Sequence, residues 1–274
     1  MDKTKLVLSG GGVKGLCTLG LLHKMSELKM LDNIDTFCGT SVGGLISFLL
    51  LIGYTPKEMF EILNEIDFSL LFQYNIDDLF NDIHVGLLSQ EPIIYVIGTL
   101  MKKRNCSIKI TFKELFKKYN KKLIVTGVCI NDSTLCYFND ESHPDMKVLD
   151  ALKITMSIPL VFKPVKYKNA FYIDGGAGSN YPIDFFKEED LENVIGILVK
   201  GSYEYIEKFN DHAEYFLQLM NCVFKKVFDI NEKLYEKYTY YIETKNISFT
   251  EWNIDSEKKT ELFEFGYNIN INNK

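Results

Sequence analysis

The fold is narrowed most by a junction that occurs twice near the start of the chain. Lys5–Ser9 is a short apolar run that passes straight into Gly10-Gly11-Gly12-Val13-Lys14-Gly15, and a helical pattern then runs from Gly15 to about Met30. Asp35–Cys38 is a second short strand, followed at once by Gly39-Thr40-Ser41-Val42-Gly43 and an apolar helix from Val42 to Ile52. A strand that turns through glycine into a helix, twice in succession, predicts an α/β layer fold with a largely parallel sheet.

The rest of the chain continues the alternation. Thr55-Pro56-Lys57-Glu58 and Thr111-Phe112-Lys113-Glu114 each place a Thr N-cap three residues before a Glu, the signature of a helix start. Lys122–Ile130, Leu135–Phe138, Ala170–Ile173 and Val194–Val199 read as strands. Asp211 to about Tyr238 reads as a long amphipathic helix, with Phe216, Leu219, Met220, Val223, Val227 and Ile230 at helical spacing. No Gly/Ser/Pro-rich linker or internal repeat interrupts the chain. A single domain over 1–274 is expected, with a helical C-terminal part of about 205–274 packed on it.

Composition excludes several classes. The net charge of −6 argues against a surface built for nucleic acid. Six cysteines form no C-x-x-C pair and sit mostly in apolar runs, which fits small buried hydrophobes in a reducing, cytoplasmic setting. The most apolar stretch, Leu45–Ile52, is far short of the ~20 residues needed to cross a bilayer, and no secretory signal is visible. Transient contact with a membrane surface remains open. Residues 101–122 carry nine basic residues and one acid. They read either as a solvated helix face or as a patch for anionic headgroups. Phe68-Ser69-Leu70-Leu71-Phe72, with Ile83 and Leu87-Leu88, reads as a core segment, or else as a flap over a binding pocket or a membrane-contacting loop.

Three glycine-marked sites carry the chemistry. The Gly10–Gly15 loop lies between strand and helix, where bare N–H groups and the helix dipole suit an anion. Gly39-Thr40-Ser41-Val42-Gly43 is a G-x-S-x-G elbow, which pushes a serine hydroxyl into the open while glycines at −2 and +2 remove colliding side chains. The Val42 amide there can donate to an oxyanion. Asp174-Gly175-Gly176 follows the strand Phe171-Tyr172-Ile173 and reads either as a hairpin turn or as a carboxylate held at a strand end. Together they supply a nucleophile, a base and an anion cradle. An ordinary Asp, with a pKa near ~3.9, is a weak base for a hydroxyl. Burial beside the elbow helix would raise it, and Lys14 nearby would oppose that.

With these motifs in this order, the chain resembles the patatin-like phospholipase family over about residues 5–200. The approach Ser157-Ile158-Pro159 … Phe162-Lys163-Pro164 and the trailing Asn180-Tyr181-Pro182-Ile183 are also similar to the family. The resemblance implies a three-layer α/β sandwich with a mostly parallel central sheet flanked by helices. It implies a Ser41–Asp174 dyad without histidine, and an oxyanion held by amides of Gly10, Gly11, Gly12 and Val13. Lys14, Gly15, Gly39, Gly43, Gly175 and Gly176 frame these groups. The substrate class implied is acyl esters of glycerophospholipids, with no metal or other cofactor.

Two rival readings stand beside this one. Gly10, Gly12 and Gly15 match G-x-G-x-x-G with Asp35 further on, which would suit a dinucleotide, although Asp35 opens its strand where that fingerprint wants the acid at the end. Ser41…Asp174…His212 follows the order of an α/β-hydrolase triad. His212 sits in what looks like a helix start, and His23, His84 and His143 precede Asp174 without a partner motif.

Overall fold

A computed structural model describes residues 3–70, 88–159, 161–200, 233–244 and 253–271, together with Tyr215, Gln218, Leu219 and Cys222. Eight strands form one sheet: β1 (Lys5–Leu8), β2 (Thr36–Gly39), β3 (Lys122–Cys129), β4 (Thr134–Phe138), β5 (Val165–Tyr167), β6 (Ala170–Asp174), β7 (Val194–Lys200) and β8 (Thr239–Glu243). Their order is β5-β6-β3-β2-β1-β7-β8, with β4 also paired to β3. The pairs β3–β2, β2–β1, β1–β7 and β7–β8 are parallel, and β4 and β6 run antiparallel to β3.

Side chains alternate across the central strands. Leu6 and Leu8 enter one apolar cluster and Val7 the other, and Ile195 and Ile197 oppose Leu198 in the same way. A sheet buried on both faces needs cover on both, which is why β1 reads as a continuous apolar run. Helices α1 (Gly15–Glu27), α2 (Val42–Leu51), α3 (Pro56–Glu65), α4 (Glu91–Lys103), α5 (Phe112–Tyr119), α6 (Val148–Thr155) and α7 (Ser256–Tyr267) join the larger cluster or pack on it. The smaller one is closed among the described residues by short 3-10 turns at Pro182–Phe185 and Glu188–Asn193.

Both expected capping boxes form. Thr55 accepts from the Glu58 N–H at 3.1 Å, and Glu58 accepts from the Thr55 N–H at 2.8 Å. Thr111 and Glu114 repeat this at 3.3 and 2.9 Å. The C-terminal part differs from the expected helical block. Thr239–Glu243 is a strand that extends the sheet beside β7, and Glu236–Tyr238 is a 3-10 turn. The edge of β7 offered unpaired backbone groups, and a β-rich Thr-Tyr-Tyr-Ile segment satisfies them. Much of the expected Asp211–Tyr238 helix lies outside the described residues. α7 packs along α1.

Candidate active site

The C-terminal ends of the parallel strands β1 and β2 lie side by side, with Leu8 paired to Gly39. The Gly10–Gly15 loop leaves β1 at the same level where Ser41 leaves β2. Ser41 has φ 54° and ψ −129°, a positive φ that a side-chain-bearing residue seldom adopts. Such a bend stores of the order of 1–3 kcal/mol and persists only where the surroundings force it. They do so here by close approach. A Cβ on Gly43 would come within 2.5 Å of the carbonyl oxygens of Leu8 and Ser9. The Ser41 N–H donates to Thr155 Oγ1 at 2.8 Å, so a buried threonine at the end of α6 holds the elbow from the other side.

Asp174 reaches the same place from across the sheet. β6 pairs Asp174 with Gly127, two residues beyond Val125, which itself pairs with Gly39. Its N–H donates to the Ser157 carbonyl at 2.9 Å, and Oδ1 accepts from the Gly176 N–H at 2.7 Å. Asp174-Gly175-Gly176 is therefore an N-capped 3-10 turn over Gly175–Ala177 and no hairpin. The carboxyl is only 4% exposed, and burial pushes its pKa up to about 7, with the Ser41 hydroxyl and the Gly176 N–H pulling the other way. Lys14, expected to oppose the rise, is not among the groups that move it; that lysine is itself buried, and its charge bears on the Cys17 thiol. The Ser41 hydroxyl is near enough to lower the Asp174 pKa, yet Oδ2 has no hydrogen-bond partner among the described residues.

The loop from β1 supplies donors, with one correction. The Gly10 N–H is taken by the Asn180 carbonyl at 2.9 Å, so Gly10 is no oxyanion donor. Asn180 also donates from Nδ2 to the Gly10 carbonyl at 3.3 Å, which ties the loop to the turn after Asp174. The N–H groups of Gly11, Gly12 and Val13, and that of Val42 at the start of α2, find no acceptor among the described residues. Gly12 has φ 54°, which glycine adopts without strain and which turns successive amides toward one side.

A cavity of about 170 Å³ opens at Gly12, Val13, Val42 and Ser41. It runs beside α2 past Leu45, Ile46 and Leu49, between α1, α3 and α4. Among the described residues that line it, Ser41 alone has a polar side chain. Eight residues separate Ser41 from Leu49, which at helical rise is a depth of about 12 Å. Such a surface suits a hydrocarbon chain and offers nothing to a ribose or a base. Asp35 lies at the opposite end of β2, where it accepts from the Thr36 hydroxyl at 2.7 Å. The dinucleotide reading fails on that separation, since ligands of parallel sheets sit at the carboxyl ends of strands.

His23 packs against Phe263 and Tyr267, and His143 against Phe138 and Ser142. His84 and His212 lie outside the described residues, as do positions 71–87 of the segment expected to be a core element or flap; of its described side chains, Phe68 and Leu88 are buried and Leu70 is exposed. The basic run 101–122 spans the end of α4 and the whole of α5, and leads into the start of β3, at the end of the sheet away from Ser41. No group of three His, Cys, Asp or Glu side chains among the described residues could hold a metal ion. None of the described helices is long and apolar enough to cross a membrane. Thr155 and Asn180 are the polar site residues that motif reading missed as such. Asn180 stood in the pattern after Asp174, whereas Thr155 carried no spacing signal.

Comparison with known proteins shows the family and the fold. The family described as Patatin-like phospholipase matches residues 6–187, and the chain belongs to that family. It is 42% identical over 182 residues to Probable lipid hydrolase 463L of Invertebrate iridescent virus 6, covering 65% of this chain and 61% of that protein. It is 28% identical over 278 residues to Uncharacterized protein R571 of Acanthamoeba polyphaga mimivirus, covering 95% and 90%. The crystal structure of VipD from Legionella pneumophila superposes with a TM-score of 0.66 at 14% identity, covering 98% of this chain and 66% of that one, a likeness of fold. The chain thus spans about three fifths of the iridovirus protein.

Proposed function

We propose that this chain is a lipid acyl hydrolase that cleaves fatty-acyl esters of glycerophospholipids, with Ser41 as nucleophile and Asp174 as general base. The observation that carries the reading is the strained Ser41 set between a buried, incompletely paired carboxyl and the mouth of an apolar cavity. The family's description and the name of the iridovirus relative support the same substrate class.

The acyl tail lies along α2, which brings the ester carbonyl to Ser41. Asp174 takes the hydroxyl proton as Oγ attacks the carbonyl carbon. With a pKa of about 7, its carboxylate is a far better base than an ordinary Asp. The carbonyl oxygen becomes an oxyanion that accepts from the free amides of Gly11, Gly12 and Val13, with Val42 at its other side. One such donor is typically worth about 3 kcal/mol of barrier. The protonated Asp174 returns its proton to the departing alcohol, which leaves an acyl ester on Ser41. A water then gives a proton to Asp174 and attacks the acyl carbonyl, releasing the fatty acid and restoring both side chains.

The test is fatty-acid release from phospholipid vesicles. Ser41→Ala and Asp174→Asn are each expected to lower the rate at least ~10³-fold, while His212→Ala retains it. Activity in Asp174→Asn close to the parent would remove the dyad, and loss in His212→Ala would put a histidine in its place.

A further inference from the structure

Lys259 lies on α7, well outside the segment that matches the family, yet both carbonyls its ammonium bonds and the ring it faces belong to residues that line the acyl cavity. It is 3% exposed. Its Nζ donates to the carbonyls of Ile66 at 2.5 Å and Leu63 at 3.1 Å, and stands 4.2 Å from the centre of the Phe68 ring. Leu63, Ile66 and Phe68 all line the cavity. Leu63 is in the last turn of α3, whose carbonyls have no partner within the helix, and Ile66 is the residue at its C-cap. A buried cation that takes two of those carbonyls and an aromatic face fixes the wall in one position.

We infer that Lys259 is a positioning residue that sets the selectivity of this enzyme for acyl-chain length, by holding the Leu63–Phe68 wall of the cavity against α7. The inference rests on the reading of the cavity as the acyl-chain site. The geometry separates the two ends of the substrate. Ser41, Asp174 and the loop amides act on the ester group. Leu63, Ile66 and Phe68 belong to α3, its C-cap and the 3-10 turn that follows, which contribute nothing to those groups. A wall that shifts therefore costs the tail its contacts and leaves the ester chemistry in place. Long chains feel the change, because each buried methylene adds its own increment of binding.

The experiment is steady-state kinetics of purified full-length protein on p-nitrophenyl esters of increasing chain length, from butyrate to laurate. Lys259→Met keeps the apolar stem and removes the donors. Its ratio of laurate to butyrate kcat/KM is expected to fall about tenfold relative to the parent, with the loss in KM for laurate. An unchanged ratio, or equal loss on both esters through kcat, would overturn the inference. Phe68→Leu leaves the carbonyl bonds of Lys259 intact and is the check if the first variant does not fold. It too should lower the ratio severalfold, and an unchanged ratio there would show that this wall never meets the chain. Ser41→Ala run in parallel separates the two claims. Full butyrate activity in that variant defeats the assignment of the nucleophile, whereas the Lys259 result bears on the wall alone.

Discussion

Asp174 and Lys259 are both ionisable side chains shut away from water, at 4% and 3% exposure, and the protein treats them in opposite ways. Burial pulls the Lys259 ammonium below the usual lysine range, with the Asp67 and Asp255 carboxylates opposing that, but its Nζ keeps two carbonyls and an aromatic face as partners. Asp174 has one backbone N–H on Oδ1 and nothing bonded to Oδ2 among the described residues. Buried polar groups are nearly always satisfied, because leaving one unpaired costs about 1–3 kcal/mol. The lysine follows that rule and builds a wall. The aspartate breaks it beside a strained serine, which is how a group held ready to gain a proton differs from one held only in place.

The comparison is sharpened first by pH. In the role proposed for it, Asp174 has to be unprotonated, and burial pushes its pKa up to about 7. The rate of ester cleavage should therefore be flat above neutrality and fall about tenfold per unit below it, reaching roughly a hundredfold by pH 5. Initial rates on a soluble short-chain ester between pH 5 and 9 would show this. A profile that stays flat down to pH 5 would mean the carboxylate keeps an ordinary pKa, and the contrast with Lys259 would collapse.

A smaller effect follows from creating an unpaired group on purpose. Thr155 accepts the Ser41 N–H at 2.8 Å. Thr155→Val is nearly isosteric and leaves that buried donor alone. It should lower kcat about tenfold with little change in KM, because the elbow loses a restraint and the cavity does not. Thr155→Ser keeps the hydroxyl and should recover most of the rate. Failure of serine to rescue would show that shape, and no hydrogen bond, is what α6 supplies.

Much of this site was legible in the sequence because its signals are local. The bend at Ser41 is written into five consecutive residues, and both capping boxes into four. What stayed hidden depends on partners far along the chain. Gly10 sits in the same glycine run as Gly11 and Gly12, and it is lost as a donor only because Asn180, 170 positions on, takes its N–H. Thr155 reaches Ser41 across 114 positions with no motif to mark it. The strand Thr239–Glu243 needs the open edge of β7 to exist at all, so helical spacing before it gave no warning. In Glu257-Lys258-Lys259 nothing local separates the buried lysine from its half-buried and exposed neighbours, since its burial is decided by the end of α3.

The smallest predicted effect is on stability, and it has opposite signs in the two regions. Asp174 has a folded pKa of about 7 against ~3.9 for the unfolded chain, so between those values the folded form holds a proton that the unfolded form has lost. The protein is then most stable, as far as this group is concerned, below about pH 4. That contribution is lost progressively as pH rises through 7, where the buried charge stands uncompensated. Asp174→Asn removes the charge, so its Tm relative to the parent should rise between pH 4 and pH 8, by about 5 °C. Lys259→Met removes the donor to two buried carbonyls and leaves both stranded, so its Tm should lie below the parent at both pH values. Thermal melts of the three proteins at pH 4 and 8 decide the matter. A pH-independent Asp174→Asn difference would mean that the carboxyl is satisfied in solution, by water or by Ser41, and that its missing partner is no mark of catalysis.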